Sequence, residues 1–320
     1  MPLCRICNNS AGNTPYSVRE MMFGLRERFD YFQCGQCQCL QINEVPADLS
    51  RYYPENYYSY QAPPVTADNP VKALLKRHRA AAGLGRGNLM QRLLATVYRP
   101  PDYYRWFRRI GLGLDSSVLD VGCGIGHLLL RMRKDGFTAL TGADPFLPES
   151  IFYPNGVTVL NNELSQLDGR FDCIMLHHSF EHMPHPLQAL QEIARLLKHD
   201  RHALVRIPVA SSYAWRHYRE DWVNLDAPRH LFLHSLESMR LLAEQAGLKT
   251  AAVVFDSDEG QFWGSEQYRR DIPLRAPRSR AENPADSLFS NTEIRAFRRK
   301  AARLNNNNDG DMACFYLYKP

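Results

Sequence analysis

The sequence predicts an α/β protein, a parallel, doubly wound sheet preceded by a small metal-stapled module. Three observations predict it. Apolar strand-length segments alternate with helix-length segments from Ser117 onward, the pattern of a sheet whose crossovers are helices. The first of those strands runs into a glycine turn, "VLDVGCGIG" at residues 118–126. Five of the eight cysteines fall within the first 39 residues, four of them as two C-x2-C pairs.

In chain order the cysteines come first. "CRIC" supplies Cys4 and Cys7, "CGQC" supplies Cys34 and Cys37, and 26 residues separate the pairs. Four thiolates suit a tetrahedral Zn²⁺, and a segment this short needs such a staple to fold. Cys39 is a candidate to replace Cys37 as fourth ligand. A closed four-sulfur shell leaves no open position, so the zinc is expected to be structural. The intervening "REMMFGLRERFDYFQC" reads as strand-like pieces of a zinc ribbon, giving a module over residues 1–50.

Residues 51–110 are expected to connect this module to the next. "RYYPENYYSY" is dense in tyrosine, which suits stacking on sugars or bases and equally suits packing one module onto another. "QAPPVTADNP" is a linker by composition. "VKALLKRHRAAA" places Val71, Leu74, Leu75 and His78 on one helical face and Lys72, Lys76 and Arg79 on the other. After the break "GLGRG" a second helical segment begins at Asn88 and ends before Pro100.

The net charge of +5 is uneven. Residues 71–109 hold ten Lys/Arg against the single acid Asp102, and residues 269–303 hold ten against four. Such blocks suit a phosphate group, an acidic membrane surface or nucleic acid, or simply a solvated helix face. The sequence has no run of 18 uncharged apolar residues, and its first residues, "MPLCRICNNS", have no signal-peptide apolar core. A cytoplasmic protein is expected, with attachment to the inner face of the membrane as a variant of that reading.

Residues 111–320 carry the catalytic pattern. "SVLDV" is a strand entering the glycine turn, and "HLLLRMRKDG" is a helix that stops at Gly136. Further strands are "FTALTGAD" ending in Asp144, "VTVL", "FDCIML", "HALVRIPV", "TAAVVF" and "MACFYLY", seven in all; the helix "PLQALQEIARLLK" precedes the fifth. Ligands of such sheets bind beyond the carboxyl ends of the strands. Gly122, Gly124 and Gly126 follow G-x-G-x-G and not G-x-G-x-x-G, which disfavours a plain nicotinamide site.

The turn instead resembles motif I of the class I S-adenosylmethionine-dependent methyltransferases, and the resemblance runs in register over about residues 115–255. It implies their seven-stranded Rossmann-like sheet and S-adenosylmethionine as cofactor. Gly122, Gly124 and Gly126 would admit the amino-acid end of the cofactor, and Asp120 would lie near its ammonium group. Asp144 would grip the ribose hydroxyls, with Asn162 and Glu163 near the adenine and His177 at the rim. In place of the family's glycine-rich turn before the fifth strand stands "KHDR", where Asp200 tolerates a left-handed conformation. The ribbon, the tyrosines and the terminal "GDMACFYLYKP" resemble a bacterial subgroup associated with polysaccharide and sugar modification.

"HHSFEHMPHP", residues 177–186, follows the fourth strand and would overlie the transferred methyl. His178, Glu181 and His182 are the candidates to face the acceptor, His182 as base or as pocket wall. A metal reading of this stretch is disfavoured, because H-E-x-x-H order is absent and Pro184 and Pro186 break any continuous helix. Arg229 and His230 form a second polar pair, candidates to contact the acceptor. Residues 256–311 are read as a lid or specificity region in which Trp263 and Tyr268 suit a sugar ring. The expected function is methyl transfer to a small-molecule or glycan acceptor, such as a nucleotide sugar or lipid-linked saccharide. An RNA methyltransferase is the alternative, although no "NPPY"-like signature follows the fourth strand; a non-catalytic cofactor-binding scaffold is the other.

Overall fold

A computed structural model describes residues 2–53, 69–89, 91, 93, 101 and 103–320. Most of the tyrosine-rich stretch and the linker, and most of the second basic segment, lie outside the described residues.

The amino-terminal segment forms three antiparallel strands, β1 (Thr14–Arg19), β2 (Arg28–Gln33) and β3 (Leu40–Ile42). Its sheet has a fourth strand from far along the chain: β10 (Phe232–Leu233) pairs antiparallel with β3, Phe232 opposite Gln41. Two-residue strands carry no readable periodicity, so this pairing was not legible in the sequence.

The main sheet contains β4 (Ser117–Val121), β5 (Ala139–Ala143), β6 (Ile151–Phe152), β7 (Thr158–Leu160), β8 (Phe171–His177), β9 (Leu197–Pro208), β11 (Lys249–Phe255) and β12 (Met312–Lys319). Its order is β11-β12-β9-β8-β4-β5-β7-β6. β4 pairs parallel with both β5 and β8, while β12 runs antiparallel between β9 and β11. The seven expected strands are present, and β6 adds a short antiparallel edge. From β4 the chain order runs outward in both directions, so the crevice beyond the carboxyl end of β4 is the topological switch point. Within β9 the pairing with β8 jumps from Leu197 to His202, and Asp200 takes up the extra length at φ 58°, the left-handed conformation expected of "KHDR".

One face of the sheet is covered by α1 (Pro70–Gly83), α2 (Tyr103–Arg109) and α3 (His127–Lys134), which bury Ala80, Leu84, Tyr104, Phe107 and Leu129 against Val118, Met175 and Leu204. The expected polarity of α1 is reversed. Val71, Leu74 and Leu75 are 69%, 55% and 43% exposed, whereas Arg79 is buried in an ion pair with Asp135 at 2.7 Å. Small Ala80 lets the helix approach closely, and the guanidinium is held by its carboxylate rather than by solvent.

The other face carries α4 (Pro186–Leu196), α6 (Leu236–Gln245) and α8 (Asn291–Asn306), and its core is continuous with that of the amino-terminal strands. Within residues 256–311 the helix α7 (Gly260–Arg269) packs through Gly264 on Val223, where a Cβ would stand 2.7 Å from Cγ2. The following stretch bonds to the amino-terminal module, Leu274 N–H to the Met21 carbonyl (2.9 Å) and Arg275 N–H to that of Met22 (2.8 Å). Among the described residues no helix is long and apolar enough to cross a membrane.

Candidate active site

The turn after β4 is built on three left-handed glycines, Gly122 (φ 70°), Gly124 (φ 54°) and Gly126 (φ 84°). A Cβ on Gly122 would lie 2.4 Å from the Ser179 Cβ, and one on Gly126 would lie 2.8 Å from the Val159 Cγ2. Ser179 is fixed there because its hydroxyl donates to the Val121 carbonyl (2.8 Å). The glycines therefore bring the histidine-rich stretch directly against the turn.

Asp144 ends just past β5, and each carboxylate oxygen accepts one backbone N–H, from Gly124 (2.8 Å) and Phe146 (3.0 Å). Each oxygen retains a lone pair for a diol. Burial raises the Asp144 pKa and those two donors oppose the rise. Asp120, buried at the end of β4, is pushed up to about 8, by burial first and then by Asp144. Asn162 and Glu163 lie just beyond β7, and the Glu163 carboxylate caps its own 3-10 turn, Leu164–Gln166. The sequence reading missed Phe146, whose ring is 81% exposed two residues beyond Asp144. An apolar residue following a strand-terminal acid was the available signal.

His177 ends β8 with its ring stacked on Trp106 (centroids 4.6 Å apart), neither nitrogen having a hydrogen-bond partner among the described residues. Burial, then Arg206, pushes its pKa down to about 3. The ring thus packs against α2 where β8 ends.

His178, a candidate to face the acceptor, is committed to a protein partner. Its Nε2 accepts a bond from Arg206 Nη1 at 2.6 Å, and because guanidinium is always a donor, that lone pair is occupied. Arg206 is itself held by Asp256 Oδ2 at 2.7 Å. Glu181 and His182 lie in the 3-10 turn Phe180–His182. Glu181 is wholly buried, neither carboxylate oxygen has a hydrogen-bond partner among the described residues, and burial pushes its pKa up to about 8. His182 Nδ1 is 2.8 Å from the Arg229 carbonyl, with the Tyr53 hydroxyl at 3.3 Å. His230 Nδ1 is 2.8 Å from the Asn224 carbonyl, and its Nε2 is 3.8 Å from Glu181 Oε1. A carbonyl can only accept, so Nδ1 of each ring carries the hydrogen, and in the neutral ring Nε2 is the lone-pair nitrogen. Burial lowers both pKa values, that of His230 to about 3 with help from His182, so both rings are neutral at pH 7.

Two acceptor-binding expectations are also corrected. The Arg229 side chain is fully buried, paired with Asp226 Oδ1 at 2.6 Å and Glu20 Oε1 at 2.8 Å, and it donates to the Tyr52 carbonyl at 3.1 Å. It pins the amino-terminal module to the catalytic sheet. Burial works against its charge, but Asp226 and Glu20 outweigh that and hold the guanidinium ionised. Arg229→Ala leaves Glu20 buried without its cation and is expected to cost about 3–5 kcal/mol in urea unfolding. A loss under about 1 kcal/mol would show that the pair pins nothing. Tyr268 is 3% exposed and is out of an acceptor's reach; Trp263, on α7, is half-buried.

In the amino-terminal module the Sγ atoms of Cys4, Cys7, Cys34 and Cys37 all lie within 4.8 Å of one another. Cys4–Cys37 is 3.6 Å and Cys7–Cys34 is 3.5 Å, near the ~3.8 Å edge of a zinc tetrahedron with 2.3 Å bonds. The two knuckles repeat one geometry: the Ile6 N–H points at Cys4 Sγ and the Gln36 N–H at Cys34 Sγ, each at 3.4 Å. Gln41 Nε2 adds a donor to Cys4 at 3.1 Å. The Cys4 thiol is accordingly held down to about 4, chiefly by its bond with Cys37. Cys39 stands apart, fully buried, its Sγ 4.0 Å from His234 Nδ1, so Cys37 completes the four-sulfur set. Donors aimed at sulfur suit thiolates, and the set fits a structural zinc.

A family model described as a methyltransferase domain matches residues 89–253. The chain belongs to that methyltransferase family. A 47-residue stretch, 15% of the chain, is 43% identical to EEF1A lysine methyltransferase 2 of Homo sapiens and covers 20% of that relative; the mouse protein matches to the same degree over 19% of its length. The chain thus spans about a fifth of the curated relatives it matches. Similar solved structures include a mycolic acid cyclopropane synthase complexed with SAH and CTAB (17% identity, 68% of this chain and 85% of that one, TM-score 0.42). Magnesium protoporphyrin IX methyltransferase from Synechocystis with bound SAH is similar at 17% identity over 64% of this chain and 87% of that one, with a TM-score of 0.37.

The methyltransferase crevice fits the family's methyl donor, S-adenosylmethionine. The glycine turn is a cradle that a side chain would fill, Asp144 offers a diol two oriented acceptors, and buried Asp120 has no cationic partner among the described residues, which an ammonium group would supply. Asp120 starts mostly protonated at pH 7, so pairing it with that ammonium requires loss of its proton. Cofactor binding to this methyltransferase should therefore release close to one proton at pH 7 and far fewer at pH 9. Titrations in buffers of different ionisation enthalpy check this, and equal heats at pH 7 would contradict it.

Proposed function

We propose that this methyltransferase transfers the methyl group of S-adenosylmethionine to a hydroxyl of a small-molecule or saccharide acceptor. One observation carries the reading: Ser179, against the glycine turn, is followed at once by Glu181 and His182, which meet His230 in a cluster of lone-pair groups. The bound cofactor supplies an electrophilic methyl group on a sulfonium. The acceptor oxygen forms its new bond to that carbon as the carbon–sulfur bond breaks, and it must lose a proton there. The His182 and His230 rings are neutral at pH 7, so they meet that oxygen as lone-pair donors. Phe146 offers an exposed apolar ring beside Asp144, suited to covering a base. Exposed Lys72 and Arg77 on α1 and the basic α8 suit an anionic group on the acceptor or on a surface that carries it.

The experiment supplies the full chain with methyl-tritiated S-adenosylmethionine and fractionated cell extract. Label is expected in hydroxylated small molecules or saccharides. His230→Ala is expected to cut that incorporation by about 100-fold with cofactor affinity unchanged. Label in RNA or protein, or in no fraction, would overturn the proposal.

A further inference from the structure

We propose that Glu181, His182 and His230 hold a divalent transition-metal cation, a second metal site distinct from the four cysteines. One ligand atom from each lies within 4.8 Å of the other two. His230 Nε2 stands 3.8 Å from Glu181 Oε1, and about 3.4 Å separates neighbours that share an ion at ~2.1 Å, so the ligands need only small side-chain movements.

Three features outside that spacing point the same way. Both histidines donate Nδ1–H to a backbone carbonyl, His182 to Arg229 and His230 to Asn224, each at 2.8 Å. That outer bond fixes the tautomer and leaves Nε2 as the unprotonated nitrogen, which in His230 faces Glu181 Oε1; carbonyls hold metal-bound imidazoles in the same way. Glu181 is wholly buried, with both oxygens lacking a hydrogen-bond partner among the described residues. A buried carboxyl whose oxygens are all unmatched is the group a cation would satisfy. The nearby cations are committed elsewhere: Arg206 holds Asp256 and His178, and Arg229 holds Glu20 and Asp226. Asp226 Oδ2 is 3.9 Å from His230 Nε2 but is spent on Arg229.

Two imidazoles and one carboxylate favour a borderline cation such as cobalt, iron, manganese or zinc, and three protein ligands leave positions open. The cation site stands on this geometry alone. With the cation bound, the His182 and His230 lone pairs are spent on it, and in their place the cation takes the acceptor oxygen and makes its proton acidic enough to leave to water; that role, unlike the site, rests on the transfer reading above.

The test needs no acceptor and no cofactor. The full chain, carrying zinc on its cysteines, is equilibrated with excess cobalt(II), desalted and analysed for both metals. The visible spectrum separates a nitrogen–oxygen cobalt site from intense thiolate–cobalt absorption. Wild type is expected to keep one zinc and gain one cobalt without the thiolate band. Glu181→Gln and His230→Ala should keep the zinc and lose the cobalt. Zinc alone in the wild type would overturn the proposal and leave Glu181 a buried neutral acid, whether or not the variants fold. Variants that bind cobalt as well as wild type would overturn the ligand assignment. Neither outcome bears on whether methyl transfer occurs.

Discussion

Cys34→Ser should abolish zinc binding at the four-cysteine set and destabilise far more than the amino-terminal module. Cys34 Sγ lies 3.5 Å from Cys7 Sγ and receives the Gln36 N–H, so its loss opens one corner of the tetrahedron and orphans a donor. Structural zinc sites are worth about 10–16 kcal/mol at neutral pH, comparable to a domain's whole stability of about 5–15 kcal/mol. The module cannot melt quietly. β3 shares a sheet with β10, and Cys34, Tyr31 and Leu40 belong to the same continuous core as Val205 and Phe315. Unfolding it would also strip Glu20 from Arg229. Scanning calorimetry with zinc analysis should find less than one zinc per chain and a melting temperature lower by at least ~10 °C. A variant that melts within a degree or two of wild type would show that the cysteines staple nothing.

Gly122→Val should abolish cofactor binding. Valine at φ 70° costs about 1–2 kcal/mol from backbone sterics, and its Cβ would be 2.4 Å from the Ser179 Cβ. Ser179 is tied to the Val121 carbonyl, so relief must come from moving the turn, and the Gly124 N–H that orients Asp144 moves with it. Gly111→Ala is the control: Gly111 has φ 64°, but an added Cβ there would meet nothing within 4 Å, so the variant should lose about 1 kcal/mol and bind cofactor normally. Equal loss of binding in both variants would trace the effect to backbone strain and not to the cradle.

The alternating core was legible because its central strands, β4, β8 and β12, are largely apolar runs with buried residues on both faces; Gly136 and Asp200 fall where the chain turns left-handed. Three of the cysteines were legible from spacing, but that Cys37 and not Cys39 completes the set was not: it follows from Cys37 Sγ lying 3.6 Å from Cys4 Sγ while Cys39 Sγ faces His234. What stayed hidden depends on contacts between distant residues. Arg229 reads as an exposed polar residue next to His230 until Glu20, 209 positions earlier, is brought against it. His178 reads as facing the acceptor until Arg206 from the neighbouring strand occupies its nitrogen. The apolar face of α1 predicts docking through Val71 and Leu75, but packing chose small Ala80 and the Arg79–Asp135 pair. A helical wheel ranks hydrophobicity; it cannot see which residue has a partner.

Calorimetric titration of the full chain with S-adenosylhomocysteine tests the central claim, that the crevice between β4 and β5 is the cofactor site. Wild type should bind one per chain, and Asp144→Ala, which removes both diol acceptors without touching the core, should weaken binding by at least about 100-fold. Undiminished binding by Asp144→Ala would contradict the account.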